Sequence, residues 1–137
     1  MNSANWIIAN KTQLLLKILD EFGPEAHLSF EGDFSGLRIL DLPGISREET
    51  QVLKRNTIEP RQDFAVVPLQ NLSTEQLLSA IGGNMPRKIL HVQVERNGRI
   101  EFAAYDSFNP ECIVFGPGFT REFLDSLIAG RLITRTS

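Results

Sequence analysis

The chain has 137 residues, the size of one domain whose core can be large enough to fold without disulfides or metals. Its composition, 42% hydrophobic and 23% charged, is that of an ordinary globular protein and not of a disordered one. The net charge of −3 comes without a clustered basic stripe, so the sequence predicts no nucleic-acid partner.

The single cysteine and the N-terminal residues favour a particular cellular compartment. Cys112 is the only cysteine, which excludes an internal disulfide and any cysteine-based zinc knuckle, so a reducing compartment fits best. The first 22 residues have no basic region ahead of their apolar ones, and Lys11, Lys17 and Asp20 interrupt any run long enough to span a bilayer. We therefore expect a soluble, cytoplasmic protein that does not bind membranes.

A helix and a short hairpin are predicted at the start of the chain. Residues 3–22 have an apolar stripe at helical spacing, ended by Gly23 and the proline after it. The members of this stripe are Ile7, Leu14, Leu15, Ile18, Leu19 and Phe22. Residues 26–30 and 37–40 flank a turn rich in glycine and aspartate, which favours two short strands joined as a hairpin.

A second helix and an edge strand are predicted next. Ser46 and Glu49 have the spacing of a capping box, which predicts a short helix that ends near Arg55. Residues 63–69 have the composition of a strand, and Pro68 restricts that strand to a sheet edge or places its end there.

Two further helix starts lie in the C-terminal half. Ser73 and Gln76 form another capping box, ahead of a helix that reaches Gly82. Residues 112–115 predict a short apolar strand, and Thr120 caps a last helix. The predicted buried stripe of this helix is Phe123, Leu124, Leu127 and Ile128. The order of elements indicates one domain over residues 1–137 in the α+β class, with a mainly antiparallel sheet and helices packed on one face.

Residues 88–105 predict a long hairpin whose register depends on its loop. A two-residue turn at Asn97-Gly98 would pair Arg96 with Arg99 and would mix apolar with polar side chains on both faces. A three-residue loop at positions 96–98 instead pairs Val94 with Ile100 and keeps the faces separate. We therefore expect the three-residue loop.

The outward face of this hairpin is the predicted contact patch. In the expected register, Ile89, His91, Ala103 and Tyr105 form a semi-apolar end, which suits a binding surface unless another element or subunit covers it. The following loop, residues 105–112, is dense in polar groups, although a turn accounts for much of that composition. The candidate binding residues are Ile89, His91, Tyr105, Asp106, Phe108 and Asn109.

The chemical alternatives have little support. Cys112 and His91 could form a thiol and imidazole pair, but the apolar residues after Cys112 favour a buried, inert cysteine. His27 and His91 lie far apart without a metal-binding motif, and no glycine pattern that cradles phosphate occurs. The sequence therefore predicts neither a metal nor another cofactor.

Three hypotheses for function remain at this point. The first is a non-catalytic module that binds a protein partner, including one that it inhibits or neutralises, and its acidic balance would suit a basic partner. The second is a small enzyme with a site at loop 105–112. The third is self-association into a homo-oligomer through the hairpin's semi-apolar end or the edge strand at 63–69.

Overall fold

A computed structural model describes residues 5–136 of the chain, and within them it shows three helices and seven strands. In chain order these are β1 (Trp6–Ile8), α1 (Lys11–Phe22), β2 (Ala26–Gly32), β3 (Asp63–Pro68), α2 (Thr74–Ala80), β4 (Ile89–Arg96), β5 (Arg99–Ala104), β6 (Ile113–Phe115), α3 (Arg121–Ala129) and β7 (Ile133–Arg135).

Five of the strands form one antiparallel sheet in the order β3-β2-β4-β5-β6. The two remaining strands, β1 and β7, pair with each other and bring the two ends of the described chain together. All three helices contribute buried residues to a core on one face of the large sheet. The predicted α+β class, with an antiparallel sheet and helices on one face, is confirmed.

The sheet has a core on each face because alternate residues of its strands point in opposite directions. On the first face, side chains such as Phe30, Val92 and Phe102 pack in the core that contains the helices. On the second face, Phe64 and Val66 of β3 form a smaller cluster with Leu53. Leu53 belongs to residues 45–62, which we call the covering segment and which contains no helix or strand apart from one bridge at Ser46.

The start of the chain differs from the prediction. Residues 6–8 form β1 and not helix, and Ile7, expected on the buried stripe, is exposed. The helix begins only after Asn10, whose side-chain oxygen accepts the backbone N–H of Gln13. Pairing of Ile8 with Ile133, 125 positions away in the chain by their numbers, overrides the local helical spacing.

The predicted hairpin of residues 26–30 and 37–40 is also wrong. Residues of β2 pair with β3 and β4, so this strand lies inside the sheet, and Ile39–Asp41 is a 3-10 turn. The predicted helix after Ser46 is absent as well, because the backbone of Ser46 exchanges hydrogen bonds of 2.9 and 2.7 Å with Val66 on the outer edge of β3. Both errors come from partners distant in sequence.

Local signals in the C-terminal half were more reliable. Both hydrogen bonds of the Ser73 and Gln76 capping box are present, and Thr120 accepts the backbone N–H of Phe123 at the start of α3. The strand at 63–68 lies at the sheet edge, as Pro68 required. The predicted buried stripe of α3 is correct for Leu127 but wrong for Ile128, which is 43% exposed.

The expected register of the long hairpin is wrong. The turn is the two-residue Asn97-Gly98, both residues are left-handed, and Arg96 pairs with Arg99. A bulge at Glu101 then shifts the register, so that Val94 lies opposite Phe102. The bulge restores the separation of apolar and polar faces that the tight turn alone would have lost.

The bulged residue has a role of its own. Glu101 is fully buried, and its Oε1 accepts the Gly118 N–H at 2.8 Å. Its Oε2 lies 3.5 Å from Arg96 Nη2 and 3.6 Å from Arg99 Nε, distances of ion pairs rather than of direct hydrogen bonds. One carboxylate thus connects the hairpin turn to the segment between β6 and α3.

Replacing this carboxylate should destabilise the fold. We predict that Glu101→Gln lowers the free energy of unfolding by about 2 kcal/mol, because an amide nitrogen then faces two guanidinium groups in a buried site. Urea unfolding followed by circular dichroism measures the change. The same substitution at the exposed Glu111 should cost about 0.5 kcal/mol or less. Equal losses at both positions would contradict a structural ion pair.

Candidate functional site

A buried carboxylate attaches the covering segment to the second face of the sheet. Glu31 on β2 is 1% exposed, and its two oxygens accept the backbone N–H groups of Asn56 at 2.7 Å and Thr57 at 3.1 Å. These amides lie in an irregular segment and have no strand partner. The two bonds satisfy them and compensate for burial of the carboxylate.

His91 on β4 joins the covering segment to loop 105–112. Its Nε2 lies 2.7 Å from Thr57 Oγ1, and its Nδ1 accepts the backbone N–H of Asp106 at 3.2 Å. Because Nδ1 is an acceptor, the proton of a neutral ring lies on Nε2 and is donated to the threonine hydroxyl. Two irregular segments are therefore held on opposite nitrogens of one imidazole.

A second set of bonds lies beside the first. Gln93 Nε2 donates to Ser29 Oγ at 3.1 Å and to the Lys54 carbonyl at 3.0 Å, while its Oε1 accepts the Tyr105 hydroxyl at 3.4 Å. The Tyr105 ring packs near His91, with 5.7 Å between ring centroids. Partial burial raises the pKa of the Tyr105 phenol. Around His91 and Gln93, the second face of the sheet is therefore polar and its side chains are hydrogen-bonded, in contrast to the apolar face that the helices cover.

The candidate binding residues from the sequence fall into two groups. His91, Tyr105 and Asn109 are half-buried and Asp106 is exposed, so these four border the surface. Ile89 and Phe108 are instead buried in the main core. The prediction that these six residues bind a partner stays a prediction.

The semi-apolar patch at the hairpin's end is not an exposed surface. A bulge between β2 and β4 pairs Glu31 with His91 but Gly32 with Ile89, which directs Ile89 into the main core. Ala103 is buried as well. The expected patch of Ile89, His91, Ala103 and Tyr105 is therefore wrong, because this second shift of register separates side chains that simple alternation would keep together.

Loop 105–112 has an unusual backbone. Asp106, Ser107 and Phe108 have φ values of 53°, 56° and 62°, three successive residues in the left-handed region without a glycine. That conformation costs roughly 1–2 kcal/mol per residue. Burial of the Phe108 ring and the bond from Ser107 N–H to the Leu90 carbonyl, 2.8 Å, oppose that cost. These two contacts stabilise the loop in this conformation.

This arrangement does not bring His91 and Cys112 together as the pair that the catalytic hypothesis requires. Both nitrogens of His91 already have partners, the hydroxyl of Thr57 and the amide of Asp106, and neither partner is the Cys112 thiol. Cys112 is half-buried, so it is more accessible than the buried, inert cysteine that the sequence favoured. Among residues 5–136, no group of three or more His, Cys, Asp and Glu side chains is placed to hold a metal ion.

Sequence reasoning missed the covering segment as part of the site. Ile58, next to Thr57, is 89% exposed, the highest value among the exposed large hydrophobic residues of the described chain. The only signal for it was a single isoleucine within the polar run from Asn56 to Gln62. Glu31 gave no signal, because nothing local distinguishes a buried carboxylate from a solvated one.

Similarity to known proteins does not indicate a function for this chain. No protein-family model, curated protein or solved structure matches this chain. In the part of the chain that the structure describes, none of the helices has the length and apolar content needed to cross a bilayer.

The role of Glu31 can be tested by one isosteric change. We expect Glu31→Gln to lower the free energy of unfolding by about 2–3 kcal/mol, since the amide nitrogen would face a backbone N–H. Hydrogen exchange should also lose protection at residues 54–58 before other regions. Glu48→Gln, an exposed change in the same segment, serves as the control. Unchanged exchange at Asn56 and Thr57 would contradict the proposed anchoring.

The Tyr105 phenol provides a pH test. Tyr105 is the only tyrosine, so absorbance near 295 nm in alkaline solution reports its ionisation alone. We expect a midpoint above the usual value of about 10, because burial disfavours the phenolate. The sign for stability follows: this contribution is complete below about pH 10 and is lost as pH rises through the folded-state pKa. Tyr105→Phe should lose that part of the alkaline destabilisation, and an ordinary midpoint would contradict the burial.

Proposed function

We propose that this chain is a non-catalytic module that binds a protein partner. Its contact surface consists of Ile58 from the covering segment together with Tyr105 and Asp106 from loop 105–112. The exposure of Ile58 is the observation that carries the proposal. Its side chain is 89% exposed to water, and its burial by a partner would lower the free energy of the complex.

The anchoring of the covering segment supports this assignment. Glu31 fixes the backbone of Asn56 and Thr57, the two residues that directly precede Ile58. A contact residue on an already ordered segment loses less conformational entropy on binding than one on a flexible loop. Ile58 therefore has the properties of an anchor residue that fills a pocket on the partner.

Loop 105–112 supplies a second, polar part of the surface. Asp106 is exposed, Tyr105 is half-buried beside it, and His91 holds this loop and Thr57 through opposite ring nitrogens. An apolar anchor combined with an aromatic residue that has a hydroxyl and with a charged group is a common composition of protein interfaces. The carboxylate of Asp106 suits a basic group on the partner, in agreement with the net charge of −3.

The contact would allow an inhibitory or neutralising role if it covered the working surface of the partner. We place this role in the cytoplasm, since Cys112 is a free thiol that is partly accessible to solvent. Self-association has weaker support. The backbone of Ser46 already occupies the outer edge of β3 at Val66, which leaves less of that edge for a second copy.

A matched pair of surface variants tests the proposal. Wild-type protein, Ile58→Asp and Ile128→Asp would each capture partners from native cell extract, with mass spectrometry to quantify what is bound. We expect one protein at near-stoichiometric level with wild type and Ile128→Asp, and a loss of about 30-fold with Ile58→Asp. Ile128 is the control because it is an exposed isoleucine on α3.

Two outcomes would overturn the proposal. One is that the wild-type protein, used as bait at its natural concentration in the extract, captures no other protein. The other is a captured protein whose yield is the same for both aspartate variants. Circular dichroism tests whether each variant is folded. We expect both to fold, because both side chains are exposed.

A further inference from the structure

A cleft of about 420 Å³ lies where the covering segment meets the start of β3. Three arginines line it, Arg47, Arg55 and Arg61, and part of its wall is apolar, formed by the half-buried Leu40 and the largely buried Phe34 and Phe64. None of these residues belongs to the contact surface proposed above. The size is within the range of sites that bind small ligands.

Arg55 is fixed within this cleft. Its Nη1 donates to the Gln62 carbonyl, and its guanidinium carbon lies 5.2 Å from the centroid of the Phe64 ring. The backbone N–H of the same residue donates to Glu49 Oε2 at 2.7 Å. A guanidinium group held by a carbonyl and an aromatic face retains further N–H donors for a ligand. This part of the site is therefore formed before any ligand binds.

Among the described residues, the carboxylates that line the cleft form no ion pair with its arginines. Glu48 and Asp63 also line it, yet within residues 5–136 no carboxylate lies within ion-pair distance of Arg47, Arg55 or Arg61. Asp63 Oδ2 instead accepts the Phe34 N–H at 2.9 Å. Three arginines against two carboxylates give the lining residues a formal charge of +1 in a chain that is negative overall, and Glu49, next to Arg55, adds a carboxylate outside the lining.

We propose that this cleft binds an organic anion that has a carboxylate or phosphate attached to an apolar or aromatic body. Guanidinium groups match the geometry of these oxyanions and can bind them through two parallel hydrogen bonds. The half-buried Leu40, with the small exposed parts of Phe34 and Phe64, forms the apolar wall that the body of the ligand contacts. The anion is either a free small molecule or an acidic side chain with an apolar neighbour on another protein.

Three probes distinguish these sources. Phenyl phosphate represents a free anion, acetyl-Glu-Phe-amide represents a protein-borne carboxylate, and inorganic phosphate has no apolar body. Each is titrated into ¹⁵N-labelled protein up to about 10 mM, with the amides of Gln62, Asp63 and Phe64 as reporters. We expect saturable shifts at these amides with at least one of the first two probes and weaker binding of inorganic phosphate.

Arginine variants make the test specific. Arg47→Gln and Arg61→Gln should each weaken the better probe by about fivefold to tenfold, while Arg121→Gln on α3 should have no effect. All three side chains are exposed, so each variant should give a folded spectrum. Tighter binding of phenyl phosphate would indicate a free phosphorylated ligand, and tighter binding of the peptide would indicate a protein ligand.

Two results would overturn this site. The first is the absence of saturable shifts at 62–64 with both organic probes. The second is an equal loss of affinity in Arg121→Gln and Arg61→Gln, which would indicate general attraction to surface charge. Neither result affects the protein contact through Ile58, because the cleft and the contact surface share no residue.

Discussion

The carboxylate of Glu31, buried beneath the covering segment, accepts hydrogen bonds from two successive backbone amides, and the arrangement of the second sheet face depends on these bonds. A segment without helix or strand has no regular partners for its amides, and a buried amide without a partner costs a few kcal/mol. One side chain removes that cost at Asn56 and Thr57. Thr57 then contacts His91, and His91 accepts the amide of Asp106, so three parts of the chain that are distant in sequence occupy defined positions.

Two bulges decide which side chains this network receives. One lies between β2 and β4 at Gly32, where an added Cβ would be 2.2 Å from the Lys88 carbonyl oxygen, so only glycine permits the approach. It directs Ile89 into the main core and leaves His91 opposite Glu31. The other, at Glu101, corrects the alternation after the tight turn. Each bulge inverts the face of every residue beyond it, which is why one inserted position changes the composition of a whole surface.

The covering segment contributes to both proposed sites, although it contains no helix or strand apart from the bridge at Ser46. Its anchored residues, Asn56 and Thr57, directly precede the exposed Ile58. Its two ends bring Arg47 and Arg61 to one cleft. Exposed apolar and cationic side chains on an irregular but hydrogen-bonded segment are typical of binding loops, whereas the regular elements around them supply stability. The function inferred for this chain therefore depends on where its loops are held more than on any catalytic group.

Short-range chemistry in the sequence was enough to determine the α+β class, the starts of α2 and α3, and the strands on either side of Asn97. A Ser73 side chain that caps its own helix needs only the next three residues, and alternation of apolar residues needs only one strand. The tertiary structure alone decided the strand at residues 6–8, the register of the hairpin, the burial of Ile89 and the path of the covering segment. Each of these depends on a partner far along the chain, such as Ile133 for Ile8 or Glu31 for Thr57, and local sequence does not specify which distant partner a backbone group will find.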